Sequence, residues 1–201
     1  MTTFRLLETS WSWFGLVARE GRLLATFLPQ PQRELRRLIK GRYPDAVEVD
    51  SLLAGFCHQV RGYFEGRPTR FDVEIDVSDL PPFRQIILEL CRKIPFGRTA
   101  SYAELARAAG KFGAARAVGG AMANNPLPLV IPCHRVLRSD GSLGGFSSRG
   151  GLDEKLRMLR LERALIASDT SMTPAQQPAE SVLTPFRRER VVRRFAPVGA
   201  E

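Results

Sequence analysis

Cysteine and histidine are scarce in this chain, three and two among 201 residues. Cys57, Cys91 and Cys133 are odd in number and unevenly spaced, which excludes a disulfide framework and implies free thiols in a reducing compartment. So few soft ligands cannot assemble a tetrahedral zinc set at known spacings, so no metal is expected and no cofactor is implied. No apolar run approaches the roughly 20 residues that span a bilayer. The start, Met1-Thr-Thr-Phe-Arg5, lacks the charged-then-apolar layout of a secretory leader. The expectation is a soluble protein of the cytoplasm, or of the nucleus in a eukaryote, with no membrane partner. There are no internal repeats, and a composition of 44% hydrophobic and 25% charged residues suits one folded domain or two small ones.

Acidic residues thin out along the chain. Residues 1–83 hold 11 Lys/Arg against 11 Asp/Glu, residues 84–99 hold 4 against 1, and residues 100–163 hold 10 against 5, so the net charge of +9 lies almost wholly in the second half. A neutral half joined to a basic half suggests that the basic half meets a polyanion, of which nucleic acid is the commonest, or else carries a solvated basic face.

The first half reads as mixed α and β. Trp13-Phe-Gly-Leu-Val-Ala18 and Leu23-Leu-Ala-Thr-Phe-Leu28 flank Glu20-Gly21 and predict a hairpin. Leu35, Leu38 and Ile39 among basic residues predict one amphipathic helix; Leu52, Leu53, Phe56, Val60, Tyr63 and Phe64 predict a second. Strict alternation from Phe71 to Val77 predicts a strand, and Pro81-Pro82 closes the half.

The second half opens with a predicted helix from Phe83 to about Lys93. Ser101-Tyr-Ala-Glu104 matches a capping box for a helix over Tyr102–Ala109, stopped by Gly110. A short turn leads to a helix from Ala114 to about Ala123, and the pair suits a helix-turn-helix. This second helix has almost no bulk. Gly119 and Gly120 in a helix interior cost roughly 1 kcal/mol each relative to alanine, so a close neighbour should require them: a nucleic-acid backbone or groove wall, or a tightly packed helix. Leu129–Ile131 reads as a short buried strand, and Leu152 to about Ile166 as a long helix with Leu152, Leu156, Leu159 and Arg163 on one stripe. Residues 167–201 turn Ser/Thr/Pro/Gln-rich and end in an arginine segment, a flexible tail that either solubilises or adds phosphate contacts.

Cys133 stands out chemically. It follows an apolar run and Pro132, adjoins His134 and Arg135, and faces a glycine-rich stretch, residues 140–151, that leaves room for a ligand. A thiol needs a nearby base or cation to become a ready nucleophile. His134 is the obvious base, with Glu162 to orient it; consecutive residues of an extended chain diverge, so the contact requires a turn or a bridging water. Cys57-His58 is the same dipeptide inside a helical pattern and reads as core, as does Cys91.

Pro132-Cys133-His134-Arg135, preceded by Ala115-Arg116-Ala-Val-Gly-Gly120 and Asn125-Pro126 and led by Ser101-Tyr102, resembles the methylated-DNA-protein-cysteine methyltransferases, also called O6-alkylguanine-DNA alkyltransferases. The resemblance is strong over residues 80–163. It implies an N-terminal mixed α/β, ribonuclease H-like domain over residues 1–80. A winged helix-turn-helix-like domain that binds DNA and carries the chemistry would follow over residues 81–166, and the tail over residues 167–201. It implies a monomer that repairs double-stranded DNA by moving the alkyl group of O6-alkylguanine, or of O4-alkylthymine, irreversibly to its own cysteine. Cys133 would be the acceptor, His134 and Glu162 its base, and Tyr102 a donor to the departing guanine. Arg116 would replace the flipped nucleotide in the stack, while Ala114, Ala115, Ala117 and Gly119 press into the minor groove and Arg135 adds a DNA contact. Asn125 would tie the helix-turn-helix to Cys133, and Val136 with Ser147 or Ser148 would meet the base.

The loop Gly145–Gly150 is about two residues longer than some of the family's, with Phe146 where tyrosine is common. Two other functions compete. One is a non-catalytic binder of alkylated DNA with the same fold, in which another residue replaces the cysteine. The other is a helix-turn-helix regulator, for which the Ala/Gly helix lacks base-reading side chains.

Overall fold

The computed structural model describes residues 1–164 and Leu183, so the tail expectations lie outside the described residues except at Leu183, which is buried in the main core. The architecture is mixed α/β. Strands β1 (Thr2–Glu8), β2 (Trp13–Arg19) and β3 (Arg22–Gln30) form an antiparallel meander, and β4 (Val47–Glu48) joins parallel to β1, giving the order β3-β2-β1-β4. The expected hairpin is present: Glu20 (φ 52°) and Gly21 (φ 79°) both take the left-handed conformation whose twist suits the strands they join.

Helix α1 (Gln32–Arg42) lays Leu35 and Ile39 on Phe4, Leu6, Val17 and Ala25. Leu38, grouped with them by spacing, is exposed instead. The opposite side of the sheet contributes Leu7, Phe14, Leu16 and Leu23 to a larger core, joined by Phe56, Val60, Tyr63 and Phe64 of α2 (Ala54–Phe64). Burial on both faces erases the period-two pattern, which is why β1 has no signature in the sequence.

Residues 71–77 do not form the predicted strand. Ile75 and Val77 are buried as the alternation demands, but the backbone makes one isolated bridge, Leu23 with Ile75. There the Leu23 amide donates to the Glu74 carbonyl at 2.8 Å and the Asp76 amide to the Leu23 carbonyl at 2.9 Å. The edge of β3 is shared further along, where the Thr26 amide donates to the Pro126 carbonyl at 3.0 Å, so no continuous partner is left.

In the second half, α3 (Pro82–Arg92) starts on Pro82 itself, a first-turn position that needs no amide donor. Helix α4 (Tyr102–Ala108) carries the expected capping box: the Glu104 amide donates to Ser101 Oγ at 3.1 Å and the Ser101 amide to the Glu104 carboxylate at 2.6 Å. Helix α5 (Ala115–Ala123) follows after a short turn. Residues 129–131 form a compact turn rather than a strand, with Leu129 left-handed at φ 80° and the Ile131 amide donating to the Leu127 carbonyl. Pro126 and Pro128 deny that stretch the donors of a ladder. Helix α6 (Gly151–Leu161) ends well before Ile166, because Arg163 turns left-handed (φ 53°) and the Ala164 amide closes back on Leu159. Its buried stripe is Lys155, Met158, Leu159 and Glu162, while Leu152 and Arg163 face solvent.

Candidate active site

Cys133, His134 and Arg135 form a single turn of 3-10 helix that leads into β6 (Val136–Leu137). The turn is the device that keeps neighbouring side chains together. Strand β6 pairs parallel with β5 (Ala100–Ser101), which brings Tyr102, the first residue of α4, beside the turn. Asn125 Nδ2 donates to the Ile131 carbonyl at 2.8 Å while its Oδ1 accepts from the Leu127 amide at 3.0 Å, so the end of α5 is tied to the cysteine segment.

Beneath the turn, Glu162 gathers a buried network. His134 Nε2 lies 2.7 Å from Oε1, which also accepts from the Tyr63 hydroxyl at 2.7 Å and from Arg135 Nη2 at 3.0 Å. Oε2 accepts from Arg135 Nε at 2.8 Å and from the Gly97 amide at 3.1 Å. Gly97 is left-handed (φ 74°), and a Cβ there would press on the Glu162 carbonyl, so only glycine brings this amide so close. Burial alone would raise the Glu162 pKa, but His134 and Arg135 outweigh it and hold the carboxyl at about 2. Burial depresses the His134 pKa against the pull of Glu162, so the resting ring is neutral. An ionised carboxylate at Nε2 fixes the tautomer: Nε2 carries the hydrogen and Nδ1 the lone pair. Nδ1 is buried with no hydrogen-bond partner among the described residues, a base held ready on the residue next to Cys133. Cys133 is 8% exposed, and its thiol pKa is raised by burial against the lowering effects of an Asn125 hydrogen bond and the Lys155 charge. It rests as a neutral thiol that needs that base.

Three participants escaped sequence reading. Tyr63 looked like one more aromatic of α2, and nothing local links it to a carboxylate 99 residues away. Gly97 gave no signal beyond a turn. Lys155 did leave one: a lysine at the first position of the buried i, i+3, i+4, i+7 stripe of α6. It is fully buried, donates to the carbonyls of Val136 (2.6 Å) and Leu143, and sits 5.9 Å from the Tyr102 ring. Burial brings its pKa down to about 8 despite the opposing pull of Cys133.

Arg135 corrects an expectation. Placed among DNA contacts by the resemblance, it is 5% exposed, and its guanidinium is committed to Glu162 and the Ile94 carbonyl. The Val136 carbonyl, expected at the base, already accepts from Lys155. The two loop serines separate: Ser147 donates to the Ala123 carbonyl at 2.8 Å, whereas Ser148 Oγ is buried without a partner among the described residues.

Cys133 lines two cavities. One, of about 510 Å³, lies between Tyr102, the first turns of α5 with Ala115, Arg116 and Gly119, and Gly144–Ser147. The other, about 890 Å³, separates β3 from the loop that carries Ser148 and Arg149, and Arg149 pairs with Glu34 of α1 across it. The exposed face of α5 answers the question posed by its glycines. A Cβ on Gly119 or Gly120 would meet nothing within 4 Å, so among the described residues no helix packs there; Arg116 and Ala117 are exposed, and Ala114 and Ala115 half-buried. Among the described residues no three His, Cys, Asp or Glu side chains converge as a metal site, and no helix is long and apolar enough to cross a membrane.

The family profile described as the DNA-binding domain of 6-O-methylguanine DNA methyltransferase matches residues 82–164. A methylated-DNA–protein-cysteine methyltransferase of Mycolicibacterium paratuberculosis is 44% identical over 117 residues, 58% of this chain and 69% of the relative. A DNA base-flipping protein of Thermus thermophilus is 42% identical over 65% of this chain and 88% of its own length. Among solved structures, Mycobacterium tuberculosis OGT in complex with DNA superposes with a TM-score of 0.68 at 32% identity, covering 80% of this chain and 92% of that one. On these matches and the geometry above, the chain belongs to the methylated-DNA–protein-cysteine methyltransferase family.

Proposed function

We propose that this protein repairs duplex DNA by transferring the alkyl group of O6-alkylguanine to Cys133, once per molecule. The observation that carries the reading is the Cys133–His134–Glu162 arrangement at the wall of a cavity that opens onto α5. The Cys133 proton passes to His134 Nδ1, directly or through one water, and Glu162 stabilises the imidazolium. The thiolate attacks the alkyl carbon in line; the carbon–O6 bond breaks with its electron pair going to guanine, and the S–C bond forms. Tyr102, whose pKa is raised by burial and the neighbouring Cys133, stays an O–H donor: it passes a proton to the departing guanine and is reprotonated through solvent as the His134 imidazolium gives up the proton it took, so guanine and both side chains end neutral. The thioether is a poor leaving group, so the transfer is irreversible.

The target atom lies inside the duplex, so the nucleotide must be flipped out. The bare face of α5 fits a minor-groove wall, with Arg116 entering the vacated stack. Residues 81–166 read as the winged helix-turn-helix domain, with residues 1–80 a ribonuclease H-like support; a sheet of order β3-β2-β1-β4 with a parallel fourth strand supports the latter. Three free, buried cysteines suit a monomer working in a reducing cytoplasm. The test is to incubate the protein with an oligonucleotide duplex carrying O6-methylguanine and map the product by mass. The Cys133 peptide should gain one CH2 and no other peptide should; an unmodified Cys133 peptide after complete exposure rejects the reading.

A further inference from the structure

Phe112, in the turn between α4 and α5, is 80% exposed, more than any other large hydrophobic side chain among the described residues, Met1 included. It is presented by a fixed turn. The Lys111 amide donates to the Ala106 carbonyl at 2.9 Å and the Gly110 amide to Arg107 at 2.9 Å, the double closure of a Schellman motif around the left-handed Gly110 (φ 68°). Left-handed Gly113 (φ 78°) then turns the chain into α5. Neither glycine has an atom within 4 Å of where a Cβ would stand, so the turn projects from the body rather than packing on it. A phenylalanine so placed adds nothing to the core of the described residues.

Its surroundings identify the occupant. Residues 105–125 contain Arg107, Lys111 and Arg116 and no acidic residue, and Phe112 stands four residues before Arg116 at the entrance to the bare α5 face. An apolar ring on a cationic, small-residue surface is the composition with which minor-groove proteins hold an opened duplex: cations meet phosphates and an apolar wedge covers base and sugar surface exposed by unstacking. We propose that Phe112 is a second wedge, packing on the deoxyribose and base edges beside the step that Arg116 enters, and so stabilises the flipped state of the DNA. This rests on the reading of α5 as the minor-groove element.

The test separates DNA handling from chemistry. Single-turnover transfer is measured for the unaltered protein, Phe112→Ala and Phe112→Leu, from O6-methylguanine in a duplex and from O6-methylguanine as the free base. Phe112→Ala should be slowed by about tenfold on the duplex and unchanged on the free base, with Phe112→Leu between. Phe112→Trp should show a blue shift in emission on adding unmodified duplex, beyond the signal that Trp11 and Trp13 give in the unaltered protein. Wild-type duplex rates for Phe112→Ala, equal slowing on both substrates, or an unmoved emission in Phe112→Trp would overturn the proposal. Absence of transfer by the unaltered protein would instead overturn the parent reading, and this one with it.

Discussion

Around Glu162 every side-chain polar atom but His134 Nδ1 has a partner among the described residues, whereas along the exposed face of α5 there is scarcely a side chain to need one. The two regions meet at Cys133 through one cavity. Their difference separates two demands. Holding a base and its orienting carboxylate in fixed geometry requires dense, satisfied polar packing. Approaching a duplex of any sequence requires the removal of everything that would collide or discriminate. The first region should fail by loss of a partner, the second by gain of bulk.

The largest effect is expected where the regions meet. Cys133→Ala should abolish transfer completely while leaving binding to duplex in a mobility-shift assay. A methyl gain on any other residue of that variant would move the chemistry elsewhere and dissolve the comparison.

Glu162→Gln tests the dense region alone. Removing the charge leaves Arg135 buried without its counter-ion and His134 without an anchor, so transfer should fall by about a hundredfold. With a folded pKa of about 2 against an ordinary 4.5, the Glu162 carboxylate contributes about 3 kcal/mol at neutral pH. The sign follows from the depressed pKa: this contribution is present above about pH 4.5 and lost as pH falls towards 2. Urea unfolding should therefore show a gap between the unaltered protein and Glu162→Gln at pH 7 that closes as acid is added. A gap that is constant with pH would mean the carboxylate is not what holds the cluster.

Gly119→Leu tests the bare region. The new Cβ meets no atom of the described residues within 4 Å, so the melting temperature should hold or rise, yet transfer from duplex should drop by about tenfold. Lost stability with intact transfer would show that this face packs on protein after all.

How much of this could be read from sequence divides along the same line. The capping box at Ser101, the two short helices α4 and α5 and the residues of the Cys-His-Arg turn announce themselves locally, because each depends on neighbours within a few positions. The bareness of α5 was visible too, although its cause was not: an absent side chain looks the same whether a helix or a duplex lies opposite. What stayed hidden depends on distant partners. Tyr63 and Glu162 are joined only by folding, Arg135, which the resemblance assigns to DNA, is set beside the Glu162 carboxylate only by folding, and Lys155 lies one position off the stripe that the leucines suggest. The alternation of residues 71–77 correctly gave burial but not pairing, since a strand also needs a free edge.

The smallest effect isolates why the bareness is kept. Gly120 is exposed in the interior of α5 and has no neighbour that a methyl group would touch. Gly120→Ala should therefore stabilise the free protein by about 1 kcal/mol, since alanine loses less backbone entropy on entering a helix. For a chain of this size that is a rise of about 2–4 °C in melting temperature. The same methyl group should weaken binding to unmodified duplex only slightly, and by more once a second variant, Gly119→Ala, is added, because both lie on the face proposed to meet the groove wall. A glycine that the fold does not need, and that costs it stability, has its explanation outside the monomer. If the double variant is more stable and binds duplex as tightly as the unaltered protein, the bare face is not the one that DNA touches.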